Sequence, residues 1–346
     1  MRTSGSRVRG IGLVLGVTMA MALSACGTGT AGGTNTPTTN TPTTTATSAK
    51  PDPTKPERDS FTGSVYRSGM PTPFFVAKDN GYFAKYGVTF NYSFVGSSAA
   101  GMAEMIGGDT DLTYSSFWGV MDSVSNGVPL VILMEAVRYK TDQLTFETLS
   151  DSGITKPCDA AGKTVTVPAL NSSHQNRLEE AMIQDGCDPA SVKFVELPYS
   201  EVESALVNHT ADMVAVDALR HLQLKQKYQT TTVLDLAGGR FAGVAEGAYV
   251  MKQDFAQANP NLVAAIQCGF VAGAAASTED GYKNTLINYL DYTPDDAQAA
   301  VSTMPLYPTT TDAKAIQDIP DTMVQLGLLD KTINVADIIV PMPDNC

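Results

Sequence analysis

"KTVTVPALNSSHQNRLEEAMIQDG", residues 163–186, contains the unit from which the fold is built. Alternating Thr and Val read as a strand, a polar loop ends in paired serines, a helix follows, and Gly186 stops it. The pattern continues downstream with "VKFVELP" (192–198) as strand and "EVESALVNHT" (201–210) as helix. "DMVAVDA" (212–218) is then a strand and "ALRHLQLKQKY" (218–228) a helix. The same grammar appears upstream. "GSVYR" (63–67) is a strand, "PTPFFVAKDNGYF" (71–83) a loop entering a helix, and "VTFNYSFV" (88–95) a second, alternating strand. "GSSAAGMAEMIGGDTDLTYSS" (96–116) gives a helix and a third strand, "FWGVMDSVSNG" (117–127) another helix, and "VPLVILMEAV" (128–137) a strongly β-forming run.

Alternation of strand and helix means parallel sheets covered by helices on both faces. Two such blocks predict an α/β protein of two similar lobes, each a mostly parallel sheet under helices. Beyond "EGAYVMKQDF" (246–255) the chain reads as helical, and these helices are expected to return to the first lobe. The expected boundaries are 60–144 with 247–346 for lobe 1 and 145–246 for lobe 2. The hinges are expected near 143–149 and 243–250.

The amino terminus has a different composition. Arg2, Arg7 and Arg9 precede an uncharged apolar stretch, 11–23, too short to cross a bilayer core of about 30 Å comfortably. It reads as a secretory signal spanning 1–25. Leu23-Ser24-Ala25-Cys26 resembles the bacterial lipoprotein signal, which implies that Cys26 carries lipid and becomes the mature terminus. Residues 27–59 hold no Val, Ile, Leu, Met or aromatic residue, so 26–59 is expected to be a disordered tether.

The formal charge of −13, more negative still without Arg2, Arg7 and Arg9, argues against a nucleic-acid partner. Besides Cys26 there are four cysteines, an even number that favours two disulfides in an exported chain. Three pairings are possible. Cys158–Cys187 with Cys268–Cys346 is preferred, because each joins positions within one expected lobe. The cysteine spacing is unlike any zinc site, and three histidines make a metal centre improbable. No cofactor is expected.

In open α/β sheets ligands bind beyond the carboxyl ends of the strands. The loops there carry "RSGM" (67–70), "GSS" (96–98), "YSSFW" (114–118) and "NSSH" (171–174). Ser68, Ser97, Ser98, Ser115, Ser116, Ser172 and Ser173 offer hydroxyls at helix starts, which suit an oxyanion. Each can equally cap its own helix. Arg67 can pair with an anion, Asn171 and His174 can hydrogen-bond a ligand, and Phe117 and Trp118 can stack on it or pack in the core. Arg177 and Arg240 are read as surface or interlobe residues. Asp217, which ends the strand "DMVAV", and Glu246 favour a ligand with a donor or a positive nitrogen. That conflicts with a simple anion, and a zwitterion or a pyrimidine-like heterocycle reconciles the two.

The order of "PTPFFVAKDNGYFAKYGVTF", "GSSAAGMAEMIGGDTDLTY", "NGVPLVILMEA", "AGKTVTVP", "ALVNHTADMVAVDA" and "FAQANPNLVAAI" resembles the solute-binding proteins of ABC importers for nitrate, taurine and aliphatic sulfonates. That group shares a domain family with the thiamine-pyrimidine precursor proteins. The resemblance implies a two-lobed (class II) periplasmic-binding-protein-like fold and solute capture in the cleft by hinge closure. It also implies a permease and an ATPase as partners, an extracytoplasmic location, membrane attachment through lipid alone, and a monomer. The alternatives are an enzyme like the pyrimidine-precursor synthases, or a ligand-sensing lipoprotein not coupled to transport. The synthases' cysteine cluster has no counterpart here. A serine hydrolase lacks its Gly-x-Ser-x-Gly elbow, and His209 and His221 sit poorly for a base.

Overall fold

The computed structural model describes residues 50–344 and 346, with Tyr66 described by its backbone alone. The expected signal segment and Cys26 lie outside the described residues. The strands are β1 Ser60–Tyr66, β2 Thr89–Val95, β3 Leu112–Ser116, β4 Leu130–Val137, β5 Leu144–Leu149, β6 Thr164–Val167, β7 Lys193–Glu196, β8 Met213–Asp217, β9 Thr230–Asp235 and β10 Gly247–Lys252. The helices are α1 Thr72–Asp79, α2 Ser98–Gly107, α3 Phe117–Ser125, α4 Ser173–Gln184, α5 Val202–Val207, α6 Ala218–Lys227, α7 Gln253–Ala258, α8 Pro260–Ala275, α9 Glu279–Leu290, α10 Pro294–Ala300 and α11 Ala313–Gln325.

Two five-stranded sheets form, in the orders β2-β1-β3-β10-β4 and β7-β6-β8-β5-β9. β1 runs parallel to β2 and β3, and β6 parallel to β7 and β8. In each sheet one inner strand is reversed: β10 in the first and β5 in the second. The reversal follows from the connections. β4 and β9 pass to the other sheet without an intervening α-helix (only a single 3-10 turn, Gly239–Phe241, follows β9), so the chain enters that sheet at its carboxyl edge and must run backwards. Both crossovers, 138–143 and 236–246, therefore lie at the carboxyl edges, and the loops expected to bind ligand border them.

The fold class read from sequence is present, with a shift at the hinges. The expected hinge stretches, 143–149 and 243–250, are mostly β5 and β10, bonded on both sides within their sheets. Two paired strands leave no free torsions, so the connections are the shorter segments outside them. β5 and β9 were not foreseen as strands.

The first sheet is built on aromatic packing. Phe74 sits 5.0 Å from Phe90, 5.1 Å from Phe270 and 4.5 Å from Tyr249, ring centre to ring centre, and all are buried. α8 lies against α1 so closely that a Cβ on Gly273 would stand 2.1 Å from the Pro73 carbonyl oxygen. Only glycine permits that approach. α11 packs its Ile316, Ile319 and Met323 against Phe117, Trp118 and Met121 of α3. The second sheet has its own core around Phe146, Val165, Leu178, Met182 and Met213.

The expected tether is ordered at its carboxyl end. Residues 50–59 carry almost no apolar surface yet dock by hydrogen bonds. Glu57 accepts from the Asn261 and Leu262 amides at 3.1 and 2.8 Å, capping α8, and Asn261 accepts from the Asp52 amide at 2.7 Å. Polar composition ruled out a core there but not a docked strap. Cys158–Cys187 and Cys268–Cys346 are both disulfides, with Cα separations of 5.7 and 5.0 Å. The second closes a sequence span of 78 residues and ties the carboxyl terminus to α8. Cys346→Ser should lower the unfolding free energy by about 2–4 kcal/mol in urea; an unchanged midpoint would mean the bond contributes nothing to stability.

Candidate functional site

The serines at the carboxyl edges divide by partner. Ser97 accepts from the Ala100 amide at 3.1 Å and Ser116 from the Gly119 amide at 3.2 Å, so both cap their own helices, α2 and α3. Asp217 does the same for α6 through the Arg220 amide at 2.9 Å. Ser98 and Ser115 meet each other at 3.4 Å, and Ser68 accepts from the Met70 amide at 3.3 Å. Ser172 precedes α4 without capping it, and its hydroxyl is buried and unpartnered. Asn171, exposed with φ 57°, donates its backbone amide to Gln175 Oε1 at 2.9 Å, and its carbonyl accepts from Asn176 at 3.2 Å.

Three expected contacts are engaged elsewhere. Phe117 and Trp118 are 0% and 3% exposed in the core under α11, because the first turn of α3 turns its apolar face inward. Arg67 pairs with Asp291 at 2.5 Å and lies over the Phe94 ring at 4.8 Å, so its charge is already met within the first lobe.

Ser173 and Arg177, one turn apart on α4, both reach Glu246 on the second crossover. Ser173 donates to Oε1 at 2.8 Å, and Arg177 Nη2 lies 3.0 Å from Oε2. That second contact is an ion pair without a well-directed hydrogen bond. Arg177 also donates to the carbonyls of Leu236 and Ala245 and lies over Phe241 at 5.7 Å. The Glu246 carbonyl in turn accepts from the Phe117 amide of α3 at 3.0 Å. One residue thus joins a helix of each lobe, and Arg177 is an interlobe residue in that sense. Arg240 instead pairs with Asp185 at the far end of α4.

His174 sits beside this pair, and its Nε2 lies 3.1 Å from the Tyr199 hydroxyl. Burial, reinforced by the Arg177 charge, holds its pKa down to about 3. The imidazole is therefore neutral at pH 7 and serves as a hydrogen-bonding group.

Tyr139 on the first crossover was missed from sequence. It packs against the cores of both sheets, and its hydroxyl reaches Met70 Sδ at 3.7 Å, a weak acceptor. Burial raises its pKa well above the usual phenol range, and Glu246, Tyr199, Asp217 and Tyr282 each add to the rise. Those five residues come from both crossovers, the loop after β7, the end of β8, and α9. They mark where the lobes face one another. Gly69 belongs there too: a Cβ would stand 2.2 Å from the Tyr282 ring, and its carbonyl accepts from the Tyr307 hydroxyl at 2.7 Å. The signal available in the sequence was position, since Tyr139 follows the last strand of the first block. Tyr282 and Tyr307 gave none, lying in the helical tail.

A groove of about 670 Å³ opens elsewhere, between α8 and the carboxyl-terminal segment, lined by Pro260, Val263, Val340 and Met342 among others. It takes nothing from either crossover or from the loops at either carboxyl edge.

Residues 70–281 match the family described as NMT1/THI5 like. The chain belongs to that family. No curated protein matches the sequence. The fold is shared with the alkanesulfonate-binding protein SsuA of Xanthomonas axonopodis pv. citri, solved bound to MOPS (TM-score 0.66, 15% identity, 82% of this chain and 99% of that one). It is shared also with the aliphatic sulphonate binding protein SsuA of Escherichia coli (0.65, 14%, 82% and 93%). The nitrate-binding protein NrtA of Synechocystis PCC 6803 is a third (0.63, 12%, 82% and 86%). The NMT1/THI5-like chain thus has the two-lobed fold of periplasmic binding proteins.

Two outcomes follow from the NMT1/THI5-like site. Arg177→Met strands a buried carboxylate and should cost about 3–5 kcal/mol, while adding Glu246→Leu should restore much of it; urea unfolding of the three variants decides. For His174 the folded pKa lies below the unfolded value, so protons favour the unfolded chain between about pH 6.5 and 3. Stability should fall in that window by up to about 1.4 kcal/mol per pH unit, and His174→Gln should flatten the fall.

Proposed function

We propose that the chain is the extracytoplasmic solute-binding component of an ABC importer, lipid-anchored at Cys26, which captures a small organic solute by closing two lobes on it. The observation that supports this best is topological. Two crossovers, with no α-helix in either, connect sheets whose carboxyl edges flank them, and titratable groups that influence one another come from both lobes. A ligand touching Tyr199 and Asp217 on one side and Tyr282 on the other is bound better by the closed form than by the open one. That differential affinity is what shifts the population.

The family likeness favours the same reading. The structures that share the fold are described as binding alkanesulfonates, sulphonates and nitrate, which suggests an anionic or zwitterionic solute here. A permease that reads the closed form, an ATPase and a monomeric state complete the proposal. The synthase-like alternative is disfavoured by chemistry: the buried histidine is neutral and hydrogen-bonded to a phenol, and the four cysteines other than Cys26 are disulfide-bonded.

Spin labels on the outer faces of α5 and α10 should shorten their mean separation by several ångströms when solute is added, and no product should form during the incubation. A separation that stays constant at saturating solute would refute capture by closure, and turnover would replace the binding protein with an enzyme.

A further inference from the structure

Both crossovers meet on one side chain, at the end where they join the second sheet. Asp235 is the last residue of β9, opposite Thr145 of β5, and the Leu236 amide that follows it donates to the Leu144 carbonyl at 2.8 Å. Its backbone therefore belongs to the second sheet. Its carboxylate belongs to the connections: Oδ1 accepts from the Ala237 amide of the second crossover at 2.9 Å, and Oδ2 from the Asp142 amide of the first at 3.1 Å. Asp142 holds φ at 66°, a left-handed conformation that residues other than glycine rarely adopt. Such a torsion persists where the surroundings over-determine it, and the bond to Asp235 supplies part of that constraint.

Gly238 makes room for the carboxylate. A Cβ there would stand 2.2 Å from Asp235 Oδ2 and 3.1 Å from Thr141 Oγ1, although its backbone, at φ −127° and ψ 177°, suits any residue. The glycine is required for space, and that space is filled by the group that joins the crossovers. The fastening repeats where the crossovers meet the first sheet. Arg138 pairs with Leu306 of the carboxyl-terminal tail through amide–carbonyl bonds of 3.0 and 2.8 Å, and its guanidinium reaches the Gly243 carbonyl at 3.3 Å. The two connections are thus bonded to each other at both ends. A single short connection lets one lobe twist as well as bend against the other. Two connections fastened side by side leave bending about the line that crosses both.

We propose that Asp235 is the positioning residue of the hinge: its two bonds make the crossovers one unit, so that the lobes travel along a single closing path. The proposal rests on the solute-capture reading, since a closing path serves a protein that closes. Asp235 touches no solute in this role. A lobe confined to one path keeps its edge loops facing those of the other lobe, so less orientational freedom is lost when a solute bridges them.

The test uses the full chain without solute, carrying the spin labels on α5 and α10. Wild type should give one narrow distribution of separations. Asp235→Asn keeps one acceptor oxygen and so one of the two bonds, and Asp235→Ala keeps neither. The distribution should broaden in that order, with the alternative separations gaining weight by about fivefold for each bond lost. Gly238→Ala displaces the carboxylate without removing it, should match Asp235→Ala, and serves if that variant does not fold. Hydrogen exchange at the Asp142 amide should quicken in both. Unchanged widths in Asp235→Ala and Gly238→Ala overturn the inference, even where the thermal midpoint falls. Equal broadening in Asp235→Asn and Asp235→Ala overturns it too, because the effect then follows the charge and not the pair of bonds. If the wild-type separation ignores added solute while the widths respond to these substitutions, the solute-capture reading falls and the hinge assignment stands.

Discussion

Everything at the interlobe floor depends on one buried ion pair. Arg177 and Glu246 are 2% and 5% exposed, far from the water that makes most ion pairs cheap to break. A pair in such a place is a weak source of net stability, because desolvation of two ions offsets most of their attraction. Its effect is positional. The guanidinium gathers the Leu236 and Ala245 carbonyls as well as the carboxylate, so the whole second crossover is folded over α4. Glu246 then presents its own carbonyl to the first amide of α3. Remove the pair and the second crossover loses its register against both lobes. Ser173, its neighbour on α4, donates to the same carboxylate, while His174 turns to the Tyr199 hydroxyl.

The first crossover is fixed by smaller forces acting on it from the second. Asp235 accepts from the Asp142 amide at 3.1 Å and from the Ala237 amide at 2.9 Å, so one carboxylate holds the ends of both connections. Arg138 adds a bond to the Gly243 carbonyl at 3.3 Å. Gln143 donates to the Met304 carbonyl at 3.0 Å and accepts from the Lys140 amide at 2.7 Å. Positive φ values at Asp142, Gly239 and Gly243 occur in these segments and not in the strands beside them. The lobe closure proposed above would have to be absorbed by these two short segments, which are already bonded to each other.

How much of this could be read from the chain alone depends on whether the information was local. The strand–loop–helix unit at 163–186 was legible because a β-branched run, a serine at the helix start and a glycine stop all act within one segment. β5 and β9 were not, since "LTFETL" and "TTTVLD" carry Thr and acids where a buried strand is expected to be apolar. Glu147 explains the first. It is fully buried but matched by His221 at 2.9 Å, Thr232 at 2.8 Å and Lys225 at 3.2 Å, partners far away in sequence. The disulfide pairing was legible from lobe membership. The site was legible only by its edge: the candidate loops named from sequence follow β1, β2, β3 and β6, with Asp217 at the end of β8, whereas the phenols of the interlobe region come from a crossover, the loop after β7 and the helical tail.

The serines show why edge residues are a poor guide to ligand chemistry when taken singly. A hydroxyl at a helix start signals anion binding and helix capping with the same residues, because both uses answer the same orphan amides. Ser97 and Ser116 are consumed by Ala100 and Gly119, which leaves less positive potential at the mouths of α2 and α3 than the sequence suggests. Charge at the site is then decided by what is left over once every group has its partner. Four arginines near the edges and crossovers each face a carboxylate, Arg67 with Asp291, Arg138 with Glu135, Arg177 with Glu246 and Arg220 with Asp217, so these pairs leave little net charge of either sign. The fold shared at 12–15% identity is a likeness of architecture and carries no solute chemistry with it.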